Sequence, residues 1–516
     1  MRRIATLFII AALGTALACD DAPESGPAAP QLGSSAEDLI DLLPGSTLVA
    51  VELRDLDSRW DALRAIAPLA RLQDHVLDEL GLDAAAIPTI AGPRAVLAFV
   101  ADDASRGIVP LVVLDPPSHE AALESLAASD ALVAAQSRGA IWAGPAHHAR
   151  LLERIAAGDG TSLRQAVDFL ALAEHLPAGG LVRAVLNPKA FGEWLWRVAE
   201  FEGTRPVGKL ARLLAVDCDA IEVAGFRRDI EDGELVTDVW VGIDGDVAPP
   251  ELTRALATHR GPAQLPSQLP AGVIMAKSFR TEAEAGLATL RAHAARDPGG
   301  PLRNLDFWID EFEAWSGRDV ESDIVAALGA QGASLLLEGE DEGSLELVVI
   351  LDADDPARLE AALIDLRNWV AEQIMGRSLG LALPQNRDGE TESGAVHGLD
   401  FRGPFVNVSG PVFQLVDDHL VVATNRHTLE LGVELAGSAE TWVTPAWALA
   451  DGPPDEIALI RTSALAGLLT AASSDVLGRA SLGDAIADFL AATGEGRLRV
   501  YYEESGFRMS GQLGID

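Results

Sequence analysis

Residues 108–115 read IVPLVVLD and residues 345–352 read LELVVILD. Each is a short apolar run ending in Asp, the pattern of a strand, and each is followed by a helix-patterned stretch, SHEAALESL (118–126) and DPARLEAALIDL (355–366). Working outward, the two surroundings keep matching. Upstream lie IAGPRAVLAFV (90–100) and LGAQGASLLLE (328–338), preceded by Gly81-Leu82-Asp83 and Gly317-Arg318-Asp319. Further upstream, Leu43-Pro44 opens the strand-like STLVAVEL (46–53), and Leu269-Pro270 opens AGVIMAKSF (271–279). Downstream, AIWAGPAHHARLLERIA (140–156) aligns with HLVVATNRHTLELGVELA (419–436), and LPAGGLVRAVLN (176–187) aligns with PPDEIALIRT (453–462). Both halves close on a strand pair, AIEVAGFRRDIEDGELVTDVWVGID (220–244) and RLRVYYEESGFRMSGQLGID (497–516), around turn-like Glu231-Asp232-Gly233 and Glu504-Ser505-Gly506.

Matches at so many places in one order point to an internal duplication. The expectation is an α+β fold of two tandem related modules, residues 38–250 and 266–516, joined by a linker over 251–265. Strand runs that end in hairpins favour antiparallel or mixed sheets packed with amphipathic helices over a doubly wound parallel sheet. The second half carries an extra segment near Leu379 to Val416, where Gly and Pro punctuate strand-like GPFVNV and PVFQLV.

The opening LPGSTLVAVELRDLDSRWDALRAIAPLARL, the GLD and IAGPRAVLAFV resemble a family of uncharacterised bacterial surface proteins, known only as a domain of unknown function. Asp417-Asp418-His419-Leu420-Val421-Val422-Ala423-Thr424-Asn425 fits that family's strand before a helix, and Arg138 to Ala143 is a shorter, looser equivalent. The resemblance covers most of the chain beyond residue 37. It implies a cell-envelope setting and brings no catalytic residues with it.

The first residues read MRRIATLFIIAALGTALAC. Arg2 and Arg3 form a positive start, Ile4 to Leu13 a short apolar run, and Gly14 to Ala18 a small-residue stretch, the three-part layout of a secretory signal. Ala16-Leu17-Ala18-Cys19 resembles the box that ends a bacterial lipoprotein signal, departing from it at Ala16, where Leu is preferred. The expectation is a signal peptide over 1–18, lipid on Cys19, and a membrane held through that lipid, inner or outer being left open. Residues 19–37, rich in Pro, Gly, Ser and acid, read as a tether. The other cysteine, Cys218, sits in an apolar segment and reads as a buried thiol and not as a disulfide partner of Cys19.

The formal net charge is −39, with 78 acidic against 39 basic residues. No basic footprint exists to neutralise phosphates, so nucleic acid is not an expected partner. An anionic bilayer would repel the body of the protein, which leaves anchoring to the lipid. A cationic partner or loosely held divalent ions is the sharper reading of this charge, and solubility the plainer one.

Individual chemistries find weak support. Gly203 to Lys209 has the glycine and lysine spacing of a phosphate loop, but Leu210 stands where a hydroxyl should bind magnesium. His147-His148 are adjacent and do not chelate as an i, i+4 pair would; His119-Glu120 meets Leu123 instead of a second histidine, and His175 and His427 are single. Asp352, Asp354 and Asp355 precede Pro356, which breaks a calcium loop and fits a helix cap instead. No catalytic, metal or cofactor residue is therefore assigned. The tryptophans Trp194, Trp196, Trp308, Trp315, Trp442 and Trp447 read as core, or as a ligand groove or partner-docking surface. The leading expectation is a non-enzymatic binding or scaffolding protein of the envelope. A hydrolase with a site assembled from distant residues, or a carrier of a lipid or other apolar ligand, are the alternatives.

Overall fold

The structure is a computed structural model. It describes residues 39–56, 60, 64, 74, 83–102, 107–158, 161–177, 180–203, 208, 211–212, 215, 218–231, 234–248, 253–254, 263–270, 272–280, 283–296, 302–339, 344–377, 383–391, 393–403, 406–449, 452–462, 464, 493–503 and 505–515. The expected signal peptide, Cys19 and the tether lie outside the described residues, as do Thr204 to Val207, Lys209 and Leu210 of the phosphate-loop candidate.

The expectation of two tandem modules is overturned. The described strands join in one nineteen-stranded sheet, and every described ladder is antiparallel. Two compact units can still be distinguished, but they do not follow one another along the chain. The first takes Met1–Ala248 with Leu465–Gly496 and Glu503–Asp516; the second takes Pro249–Ala464 with Arg497–Tyr502.

In the first unit, β1 (Thr47–Arg54) is central, paired on one side with β2 (Arg94–Asp102) and on the other with β6 (Val182–Leu186). β2 leads through β3 (Gly107–Leu114) and β5 (Ala140–Pro145) to β4 (Leu132–Ser137). β6 leads through β7 (Ile221–Glu231) to β8 (Glu234–Ile243). The far edge of β8 is closed by β19 (Gly506–Ile515), in a ladder from Gly506↔Gly242 to Gly514↔Glu234. That pairing defeats the tandem reading: alternation along a strand says which face is buried, not which later strand will satisfy its open edge.

A row of charge crosses this sheet. Glu52 stands opposite Arg183, Arg183 opposite Arg227, Arg227 opposite Asp238, and Asp238 opposite Ser510. Directly opposed residues share a face, and all five are buried. Buried charge is tolerated only when paired. Arg227 donates to Asp238 at 3.1 Å and to Asp229 at 2.9 Å, and Glu52 accepts from both Arg54 and Arg94. Around this row the core is apolar: Leu43, Val96, Leu111, Trp142 and Leu172 are fully enclosed.

In the second unit, β9 (Val273–Arg280) pairs with β17 (Glu456–Arg461) and with β10 (Leu328–Glu338), which continues through β11 (Leu345–Ala353) to β16 (His419–Ala423). The extra segment then extends the sheet. β15 (Val406–Val416) pairs with β16, and β14 (Gly394–Gly403) pairs with β15, with β12 (Leu383–Asn386) and with β13 (Gly389–Thr391). Two helices use this extension. Pro356–Arg377 begins where Asp355 accepts from the Arg358 N–H at 3.2 Å, so the acid cluster caps a helix. Arg426–Gly437 begins where Asn425 accepts from the Thr428 N–H at 2.9 Å, which explains the Asn that ends the VVATN stretch. Its Leu429, Val433 and Ala436 pack with Val396, Val412, Val416 and Val421.

Candidate functional groove

The extension and the helix Arg426–Gly437 enclose an open groove of about 1110 Å³. Glu390 and Thr391 of β13, Ser393, Val416 and Asp417 form one side, and Arg426, Glu430, Val433 and Glu434 of the helix form the other. The β13–β15 segment therefore supplies one wall. The helix that follows β16 supplies the second.

Among the described residues the lining is acidic: Glu390, Asp417, Glu430 and Glu434 face the cation Arg426. That cation is already engaged, since Arg426 donates to the Glu390 carbonyl at 2.6 Å and to Glu430 at 3.3 Å. It fits because Gly389 has no side chain; a Cβ there would stand 3.2 Å from the guanidinium. Glu430 and Glu434 are four apart, on one face of the helix.

Beneath the groove, Gln414 is fully buried on the same face of β15 as Val416. Its amide oxygen accepts from the Thr391 hydroxyl at 3.0 Å, and its amide nitrogen has no hydrogen-bond partner among the described residues. A polar side chain at that depth costs stability unless satisfied. The amide lies next to Gly394, where a Cβ would come within 3.3 Å of the nitrogen.

The opposite face of the extension meets the helix Pro356–Arg377. His397 of β14 places Nδ1 3.2 Å from Asp388 and Nε2 3.4 Å from Glu360, against the ring of Phe413. Arg367 also donates to Asp388. Burial disfavours the charged Asp388 carboxylate, but the Arg367 and His397 hydrogen bonds outweigh it and hold its pKa below the usual range.

The residues singled out in the sequence are scattered. Cys218 is a buried thiol packed with Trp194, Leu195 and Ala215. His147 and His148 lie ring to ring at 4.3 Å, and His148 Nδ1 is 4.0 Å from Asp102. Burial, with His147, pushes the His148 pKa down against the pull of Asp102. His119 meets Gln136, and His175 stacks on Trp240 at 3.6 Å. Asp352 lies 3.6 Å from His419, and burial raises its pKa. Among the tryptophans, Trp194 is buried, whereas Trp315 is 41% exposed and donates to Glu372. Among the described residues, no cluster of three His, Cys, Asp or Glu side chains is arranged to hold a metal ion. Nor is any described helix long and apolar enough to cross a membrane.

Residues 379–416 stand out in the sequence as additional, and local pattern alone gives them no role. The available signal was there: acids at 430 and 434 on one helix face, facing a glycine-punctuated insertion. No protein-family model matches the chain, and no curated protein does. Among solved structures, one titled "Structure of crystal form I of TP0453" is similar at 10% identity, covering 40% of this chain and 79% of that one, with a TM-score of 0.21.

Proposed function

We propose that this chain is a lipid-anchored cell-envelope protein that binds, without converting it, a ligand or partner presenting positive charge. The groove beside the helix Arg426–Gly437 carries the proposal. Its size suits a small molecule or a few peptide residues, and four carboxylates against one internally engaged arginine attract cations. The whole-chain charge of −39 acts in the same sense, by drawing cations toward the surface. Anchoring rests on the Ala16-Leu17-Ala18-Cys19 box and its resemblance to lipoprotein signals.

Two measurements test the two parts. Calorimetric titration with a pentalysine peptide should give saturable binding that weakens on Glu430→Gln with Glu434→Gln. Equal affinity for the double variant would remove the groove from the proposal. Fractionation of native envelopes should find the protein in the membrane pellet and Cys19→Ala in the soluble fraction; a Cys19→Ala protein that still pellets would dispose of the lipid anchor.

A further inference from the structure

We propose that His397 is a proton-operated clasp that fixes the groove-lining hairpin to the helix Pro356–Arg377. The inference rests on the groove being a binding site, and it concerns how that site is regulated.

The geometry is specific. Both ring nitrogens of His397 face carboxylate oxygens, Asp388 at 3.2 Å and Glu360 at 3.4 Å. A neutral imidazole has one donor and one acceptor, so it satisfies one carboxylate and turns a lone pair toward the other. The imidazolium donates to both. Imidazole is a side chain that gains and loses a proton readily, so the second contact is made by the protonated ring and lost by the neutral one.

The surrounding charges make the effect one-sided. From the helix come Glu360 and Arg367, from the turn before β13 comes Asp388, and from β15 comes the uncharged Phe413. Arg387, on the same turn, lies 3.7 Å from Asp400 of β14. With His397 neutral, the group Glu360, Asp388, Arg367 and His397 carries one excess negative charge; protonation cancels it. Low pH therefore closes the clasp and high pH loosens it.

The consequence reaches the groove through a short lever. Asp388 immediately precedes Gly389–Thr391, and Glu390 and Thr391 line the groove. His397 lies on β14, whose Val396 and Gly394 stand opposite Gly389 and Thr391. Holding Asp388 against the helix thus holds one wall of the groove in place.

Hydrogen–deuterium exchange on the full chain tests the clasp directly. After correction for intrinsic rates, amides of residues 389–397 should exchange roughly threefold more slowly at pH 5.5 than at pH 7.5, the size expected of one half-exposed ion contact. Glu360→Gln should abolish that difference while keeping the fold, because its amide donates to a neutral imidazole as readily as its carbonyl accepts from a charged one. His397→Gln should abolish it as well. A wild-type protein with no difference, or variants that retain it, would overturn the clasp. Pentalysine titration at both pH values separates this from the binding proposal. A pH-dependent exchange with no binding at either pH removes the ligand site and leaves the clasp. Binding of the peptide alongside pH-independent exchange removes the clasp and leaves the site.

Discussion

Glu52 Oε1 accepts from Arg94 at two nitrogens, Nη2 at 2.7 Å and Nε at 3.1 Å, while its other oxygen accepts from Arg54 Nε at 3.0 Å. The carboxylate is wholly enclosed and pairs with both guanidinium groups. Replacing it by Ala leaves both without that counter-charge. Glu52→Ala should lower the stability of the first unit by about 3 to 5 kcal/mol. Urea unfolding followed by intrinsic tryptophan fluorescence would measure it; a loss under 1 kcal/mol would show that the arginines find solvent instead.

Gly432 is a point of close approach between the groove helix and its sheet. A Cβ there would stand 2.6 Å from Val421 and 2.7 Å from Val348 side-chain carbons. Gly432→Ala should therefore cost stability by overpacking, about 1 to 3 kcal/mol, despite the better helix propensity of Ala. A thermal melt in which the variant gains stability would mean that the helix simply shifts outward.

The acid limb of stability should pass through the second unit. The Asp319 N–H and then the Arg358 guanidinium hold Asp323 below the usual carboxylate range, and Asp388 is held low by Arg367 and His397 against its burial. A carboxylate whose folded pKa is depressed adds stability above its unfolded value, near 3.9, and loses it as pH falls through the folded one. Melting temperature should thus fall below about pH 4, and Asp388→Asn with Asp323→Asn should flatten that fall. Both groups are partly exposed, so each effect is small and weakened by salt. An unchanged acid limb in the double variant would assign it to other carboxylates.

Cys218 packs beside Gly192, whose Cβ, if present, would lie 3.2 Å from that of the cysteine. A thiol so enclosed should react with iodoacetamide only after the surrounding helices open. Labelling in native buffer should be slow and should rise steeply through the unfolding transition. Rapid native labelling would show that this packing opens readily.

Much of the secondary structure was legible because the apolar runs are short and well punctuated. IVPLVVLD and LELVVILD are neighbouring strands to their respective β2 and β10, and both closing hairpin sequences form long strands. The caps were legible too, since Asp355 and Asn425 need only local partners. What failed was the division of the chain. β19 looks in sequence like the end of a second module, yet its partner β8 belongs to the first half, and nothing local to either strand encodes that long-range choice. The groove was illegible for a related reason. Glu390, Asp417 and Glu434 become neighbours only after three ladders and a helix have set their positions. Single histidines were likewise passed over, His397 among them, because its carboxylate partners come from a helix and a turn remote in sequence.

The ladder between β8 and β19 also imposes an order in time. A ribosome delivers residues 234–243 long before residues 506–515. Throughout that interval the outer edge of β8 is bare, with an unpaired line of amides able to recruit a strand from a neighbouring nascent copy. The protein thus has a vulnerable adolescence, during which a chaperone that shields strand edges would be most useful. A chain that stalls before residue 506 is predisposed to clump and not merely to be incomplete.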